Sequence, residues 1–342
     1  MVPPNVQLEK IIDLIDQHER IAVISHFDPD GDAVGSVLAM RGFLNKLGKY
    51  PRVIIPNPVP AFLQWMPGFD DILIYEEQKE EVKAALKEST LILMLDFNDI
   101  NRVKSMSKLL EHSDAKKILV DHHPDPVINA DAVFSETEVS STSEMVFILI
   151  EKAGKLDLVD KDIAESLFTG IITDTGCLSF NSSRPETYRI LGKLLSYDVD
   201  KDKIISRVYE NYSEERMQLL GYSLYEKMVV LKEYRTAYIS LDIEELDEFS
   251  FQPGDTEGFV NVPFSIQGIV LTALFTEKPG YVKISFRSKG TFPINEFAKK
   301  HFSGGGHKNA AGGESKLSLD ETIKKFVSLL EEYKDALLDV EK

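Results

Sequence analysis

Four short stretches of the chain concentrate the residue types that hold metal ions. Residues 25–35 read SHFDPDGDAVG and place His26, Asp28, Asp30 and Asp32 within seven residues. Asp96 follows the apolar run LILML, Asp121-His122-His123 follows KILV, and Asp174 lies in ITDTG. Three carboxylates beside an imidazole in one turn repel one another unless something neutralises them, and a divalent cation is the simplest neutraliser. For residues 25–35 alone, a solvated acidic turn with Pro29 and Gly31 as turn residues is an equally good account. A single Asp after a strand is commonly the N-cap of the next helix. The repetition favours a site.

Mixed carboxylate and imidazole donors suit manganese, magnesium or iron better than a structural zinc. So many carboxylates suggest two ions with at least one bridging carboxylate. Paired ions about 3.5–4 Å apart are typical of phosphatases and nucleases, where they acidify a water and stabilise charge on phosphorus. Cobalt is a further alternative to manganese. Cys177 follows the Asp174 motif and is read as a small buried hydrophobe rather than a nucleophile. His18, His112 and His301 have no acidic companions at ligand spacing.

The surrounding elements must bring these stretches together. Apolar runs at 21–24, 52–55, 91–95 and 117–120 read as buried strands, with helices predicted over 7–19, 33–47, 77–88 and 105–112. This rhythm predicts an α/β fold with a mostly parallel sheet and helices on both faces. In such sheets ligands bind at the strand C-termini, where the first three stretches then converge. Ser141-Thr142-Ser143-Glu144 fits a capping box for a helix through Ala153, and capping is the role assigned to its hydroxyls. An apolar helix over 162–173 runs into Asp174. Residues 185–228 read as successive helices without a strand. From Tyr234 the pattern alternates, with strands at 236–241, 268–275 and 281–286, a helix over 292–301, a glycine run at 304–306 and a helix over 319–337. The division expected is residues 1–190, a helical linker at 191–230 and a smaller α+β domain at 231–342.

A chain of 342 residues accommodates two domains. Hydrophobic residues at 43% and charged residues at 28% describe a globular protein. No apolar run approaches the roughly 20 residues of a membrane helix. The N-terminal MVPPNVQLEK lacks the regions of a signal peptide. One cysteine excludes an internal disulfide and suits the cytoplasm. The net charge of −17 argues against tracking along a long nucleic acid, so any phosphate-bearing ligand should be short.

Taken in order, HFDPDGD, the lone Asp96, DHH at 121–123 and ITDTG at 172–176 resemble the four motifs of the DHH phosphoesterases. SFRS at 285–288 and GGGHKNAAG at 304–312 resemble their DHH-associated substrate domain. The DHH triplet alone would be weak; six matches in order cover nearly the whole chain. The two-domain length resembles the branch of oligoribonucleases and 3′-phosphoadenosine 5′-phosphate (pAp) phosphatases. The resemblance implies that His26 and Asp30 hold one metal and Asp32 the other, with Asp96 bridging and His122 and Asp174 completing the ligands of the second metal. It implies catalytic roles for Asp30, Asp32, Asp96, His122 and His123. His123 would face the substrate phosphate or donate to it, Asp121 would orient the histidines, and Asp28 would be a bystander.

In the second domain, Arg287 could grip a phosphate bidentately, although a surface arginine is the ordinary reading. Gly304, Gly305 and Gly306 could form a nest of N–H donors, with a flexible loop as the plain alternative. His307, Asn309 and Ser288 join them as substrate contacts. Arg102 could reach the site, and Phe264 or another aromatic could stack on a base.

The implied enzyme is a metal-dependent hydrolase that cuts oligoribonucleotides of a few residues to mononucleotides and pAp to AMP, as a monomer or homodimer. A cyclic di-AMP or linear pApA phosphodiesterase of the same architecture is the alternative, and a non-catalytic nucleotide sensor is more remote. A processive exonuclease of the RecJ type should be longer and more basic, and a family II pyrophosphatase lacks the GGGH pattern.

Overall fold

The computed structural model describes residues 4–340. Residues 1–3, part of the N-terminal segment assessed for a leader, and residues 341–342 lie outside the described residues. Two compact units divide between Asn211 and Tyr212.

The first unit is built on six parallel strands, β1 (Arg20–Ile24), β2 (Tyr50–Ile55), β3 (Ile72–Ile74), β4 (Leu91–Leu95), β5 (Lys116–Asp121) and β6 (Ala132–Ser135), in the order β3-β2-β1-β4-β5-β6. Ile21, Val23, Leu91, Leu93, Ile118 and Val120 enter one core, and the alternate residues Ala22, Ile24, Ile92, Met94 and Leu119 enter another. A strand buried on both faces has no polar side, so these runs read as continuously apolar. Helices α1 (Pro4–Gln17) and α2 (Gly31–Lys46) contribute to the first core, and α3 (Lys79–Glu88) and α4 (Ser107–Glu111) to the second. Helices α5 (Thr142–Lys152) and α6 (Lys161–Asp174) join α2 on the first face. Strand order reverses between β1 and β4, the switch point at which open sheets leave a crevice for ligands.

Two further helices, α7 (Pro185–Leu195) and α8 (Lys201–Tyr209), put Ile190, Leu194, Ile204 and Val208 into that first core. The expected linker at 191–230 is therefore not a separate segment. Its first half completes one unit, and its second half begins the other with α9 (Glu214–Tyr222), a π-helical turn over Ser223–Lys227 and strand β7 (Met228–Leu231), where only helix was expected.

The second unit continues with β8 (Thr236–Leu241), α10 (Ile243–Glu248), β9 (Leu271–Lys278), β10 (Tyr281–Ser288), α11 (Ile294–His301), β11 (Gly305–His307), β12 (Ala310–Ser315), α12 (Leu319–Leu330) and α13 (Lys334–Leu338). Its sheet runs β11-β12-β10-β9-β8-β7 and is antiparallel except between β8 and β9. Phe275, Phe286, Phe297 and Phe326 centre its core in largely edge-to-face contacts. The helix expected over 319–337 is interrupted between α12 and α13. No helix of the described residues is long and apolar enough to cross a membrane.

Candidate metal centre

The ends of β1 and β4 are tied by a bond from the Ser25 hydroxyl to the Leu95 carbonyl at 2.9 Å. His26 and Asp96 follow at once. The His26 Nδ1 lies 2.8 Å from the Phe27 carbonyl, which places its proton there. Its Nε2 is buried without a hydrogen-bond partner among the described residues, 3.4 Å from Asp96 Oδ2. Asp30 is the N-cap of α2, and its Oδ1 accepts from the Asp32 and Ala33 amides at 3.0 Å each. Capping and ligation are compatible here, because one carboxylate oxygen caps the helix. Donor atoms of His26, Asp30 and Asp96 lie within 4.8 Å of one another, as do those of Asp32, His122 and Asp174.

Asp96 stands between the two groups. Its Oδ2 faces His26 and its Oδ1 lies 3.6 Å from His122 Nε2. His122 Nε2 is also 3.6 Å from Asp174 Oδ2 and 3.9 Å from Asp32 Oδ2, while its Nδ1 lies 3.3 Å from the Val139 carbonyl. The structure thus brings together all six residues expected as ligands, from the ends of β1, β4 and β5, the start of α2 and the end of α6. Asp28 is exposed, left-handed (φ 54°) and tied to Asn57 on both its amide and its carboxylate, outside these groups.

The electrostatics suit an added cation. Burial and the nearby Asp96 and Asp174 hold the Asp32 carboxyl well above the usual range, although the Thr142 and Ser143 amides donate to it at 2.6 and 2.8 Å. Burial works in the same direction on Asp96, but the surrounding His26, His123 and His122 outweigh it and hold that carboxyl low. Crowded carboxylates facing the unprotonated nitrogens of His26 and His122 are a donor set that could hold divalent metal ions. The orphaned His26 Nε2 is the atom such an ion would satisfy.

His123 departs from expectation. Its Nδ1 lies 2.8 Å from Asp121 Oδ1, and its Nε2 accepts from the Arg102 guanidinium at 2.9 Å. With Nδ1–H aimed at Asp121, the neutral ring has no N–H left to donate to a substrate, and Arg102 carries the donors instead. Burial and Arg102 push the His123 pKa well below the ordinary value, and burial with the nearby Asp96 pushes Asp121 up to about 7. Asp121 hydrogen-bonds His123, whereas His122 is oriented by Val139.

Two readings around the site are corrected. Cys177 is exposed, because the chain leaving α6 turns through left-handed Gly176, Cys177 and Leu178 and lifts the thiol off the core. The capping box at 141–144 is half made. Ser141 caps α5 by accepting from the Glu144 amide, but the Glu144 carboxylate turns to Ser140 and Thr187, and the Thr142 hydroxyl donates to Asp96 Oδ1 at 3.0 Å. The amides of Thr142 and Ser143 are site groups that no residue-type reading could find, since every residue carries one.

In the second unit, Arg287 lies on β10 with one guanidinium nitrogen 2.9 Å from the Phe286 carbonyl. Ser288 is buried and donates to the Phe292 carbonyl at 2.7 Å, and Asn309 donates to the Ser288 hydroxyl at 2.9 Å. Both therefore hold the turn after β10. The glycine run forms strand rather than an open nest: Gly305, Gly306 and His307 pair with β12 as β11. A Cβ at Gly304 would sit 2.0 Å from the Gly312 carbonyl oxygen, and Gly306 is left-handed (φ 139°) against Ala310, whereas Gly305 has open space.

Residues 20–171 match the DHH family, N-terminal domain, and residues 235–335 match the DHHA1 domain. The solved structure of an exopolyphosphatase-related protein from Bacteroides fragilis is 42% identical, with a TM-score of 0.92 over 97% of each chain. The probable bifunctional oligoribonuclease and PAP phosphatase NrnA of Streptococcus mutans is 28% identical over 89% of this chain and 92% of its own. The bifunctional oligoribonuclease and PAP phosphatase NrnA of Bacillus subtilis is 28% identical over 94% and 96%.

Proposed function

We infer the reaction from one premise: the chain belongs to the DHH family and is a metal-dependent phosphoesterase. We propose that its substrates are oligoribonucleotides of a few residues, cut to mononucleotides, and pAp, dephosphorylated to AMP, in the cytoplasm. The observation that carries this reading is the pair of three-residue donor groups that meet at Asp96. The names of the Streptococcus mutans and Bacillus subtilis relatives and the net charge of −17 support short substrates over long strands.

His26, Asp30 and Asp96 would hold one ion, and Asp32, His122 and Asp174 the other, with Asp96 shared. Two divalent ions, manganese first, supply Lewis acidity at phosphoryl oxygens and an acidified water. The protein's own part is to fix the geometry. The α5 amides keep Asp32 in place, and Nδ1 contacts leave His26 and His122 facing inward as bases. His123, set by Asp121, steadies Arg102, whose remaining N–H groups can meet an anionic phosphate oxygen. Arg287, His307 and the open backbone at Gly305 are proposed to bind the substrate's phosphate and sugar.

The deciding experiment measures hydrolysis of two- to five-nucleotide RNA and of pAp, with and without manganese, beside cyclic di-AMP and pApA. Manganese-dependent release of mononucleotides and AMP is expected. Turnover of the cyclic or linear dinucleotides alone would replace the substrate assignment, and metal binding without turnover of any of them would favour a sensor.

A further inference from the structure

The entry to α5 makes more bonds than a helix start needs. Ser141 alone caps the helix. Yet the buried segment 139–143 also touches three of the six candidate ligands. The Val139 carbonyl lies 3.3 Å from His122 Nδ1, the Thr142 and Ser143 amides donate to the two oxygens of Asp32, and the Thr142 hydroxyl donates to Asp96 Oδ1. Behind it stands Glu144, 0% exposed. Its Oε2 accepts from the Ser140 amide at 3.2 Å, the Ser140 hydroxyl at 2.5 Å and the Thr187 hydroxyl at 2.9 Å, and Arg184 lies 3.7 Å from Oε1.

A buried carboxylate is costly, and an apolar residue would fill the same space without that cost. What the three donors on Oε2 offer instead is a fixed geometry, although Oε1 has no hydrogen-bond partner among the described residues. Groups behind metal ligands that set their orientation typically matter 10–100-fold for affinity or activity.

We propose that residues 139–143 form a bracket that positions His122, Asp32 and Asp96 for the ions, and that Glu144, fixed by Thr187, is its post. Thr142 and Glu144 are thus positioning residues for the reaction. The inference rests on the two-ion reading above and not on the identity of the substrate.

The test is calorimetric titration of chelator-stripped full-length protein with manganese, alongside thermal melts and steady-state kinetics. Thr142→Val should bind manganese about 10–100-fold more weakly. Thr142→Ser, which keeps the hydroxyl, should restore affinity to within about threefold. Thr187→Val, one step further back, should show a smaller loss in the same direction. In Thr142→Val and Thr187→Val, kcat should fall while substrate KM stays near the parent value, and Thr142→Ser should recover kcat. A folded Thr142→Val protein with parental manganese affinity overturns the bracket; if that variant does not fold, parental affinity in Thr187→Val does so. Parent protein that binds manganese but cleaves none of the nucleotides refutes the substrate assignment and leaves this test intact. Parent protein that takes up no manganese refutes both.

Discussion

Asp96 shows how much one residue can be asked to do. It sits just past β4 in a left-handed conformation (φ 68°), which turns its carboxylate across the end of the sheet so that each oxygen faces a different donor group. Asp96→Asn keeps the shape and removes the charge that both groups share. Its loss of bound metal and of activity should exceed the roughly 10–100-fold typical of outer contacts, as metal analysis of the purified protein and rate measurement will register. At this scale the sequence was most informative. His26, Asp30, Asp32, Asp96, His122 and Asp174 could be picked out because side-chain type restricts chemistry. Thr142 and Ser143 could not, because they act on Asp32 through backbone amides. Nor could the hydrogen on His123 be placed, since its position depends on Asp121 and Arg102 approaching from opposite sides.

Elements were legible where their periodicity was strong. β1, β4 and β5 appeared as apolar runs because each is buried on both faces. β11 and β12 were missed because a strand of glycines and alanines has no alternation to read; only the close approach of Gly304 and Gly306 to β12 explains that composition. Between helices, contact distance is the specification. A Cβ at Gly170 of α6 would fall 1.9 Å from Ser143 Oγ and 2.9 Å from Asp32 Oδ1, whereas one at Gly192 of α7 meets nothing within 4 Å. Gly170→Ala should cost about 1–3 kcal/mol and lower metal uptake. Gly192→Ala should be stabilising by about 0.5–1 kcal/mol; paired thermal melts will separate them. The Asp160 N-cap of α6 binds Lys46 of α2 at 2.8 Å. Burial works against its ionised form, but Lys46 and the Ile163 amide outweigh it and depress the pKa. A depressed carboxyl stabilises the fold above its ordinary value near 3.8, and the benefit is lost as pH falls through the lower folded value. Asp160→Asn should flatten that acid limb in denaturant titrations across pH.

At the scale of the whole chain, a change of texture at Tyr234 revealed two units but misplaced their boundary. An amphipathic helix announces an apolar face without naming the core it will cover, so α7 and α8 looked like a linker until Ile190 and Ile204 were seen in the first core. All six candidate ligands fall between residues 26 and 174, inside the unit that ends at Asn211. A fragment of residues 1–211 should therefore fold alone and bind manganese within a few-fold of the intact protein, by the same calorimetry.

The strand order that sets β1 beside β4 also orders events in time. The donors of the second group, Asp32, His122 and Asp174, come from early and late parts of that unit, so an ion there cannot be fully held until Asp174 has left the ribosome. From that moment metal can stabilise the nascent half by mass action. The rest of the chain is then still to be made, on the order of ten seconds of synthesis at roughly 5–20 residues per second. A divalent ion could be bound before Arg287 and His307 exist, so a shortage of metal during translation would be felt as misfolding and degradation of the chain as well as lost turnover.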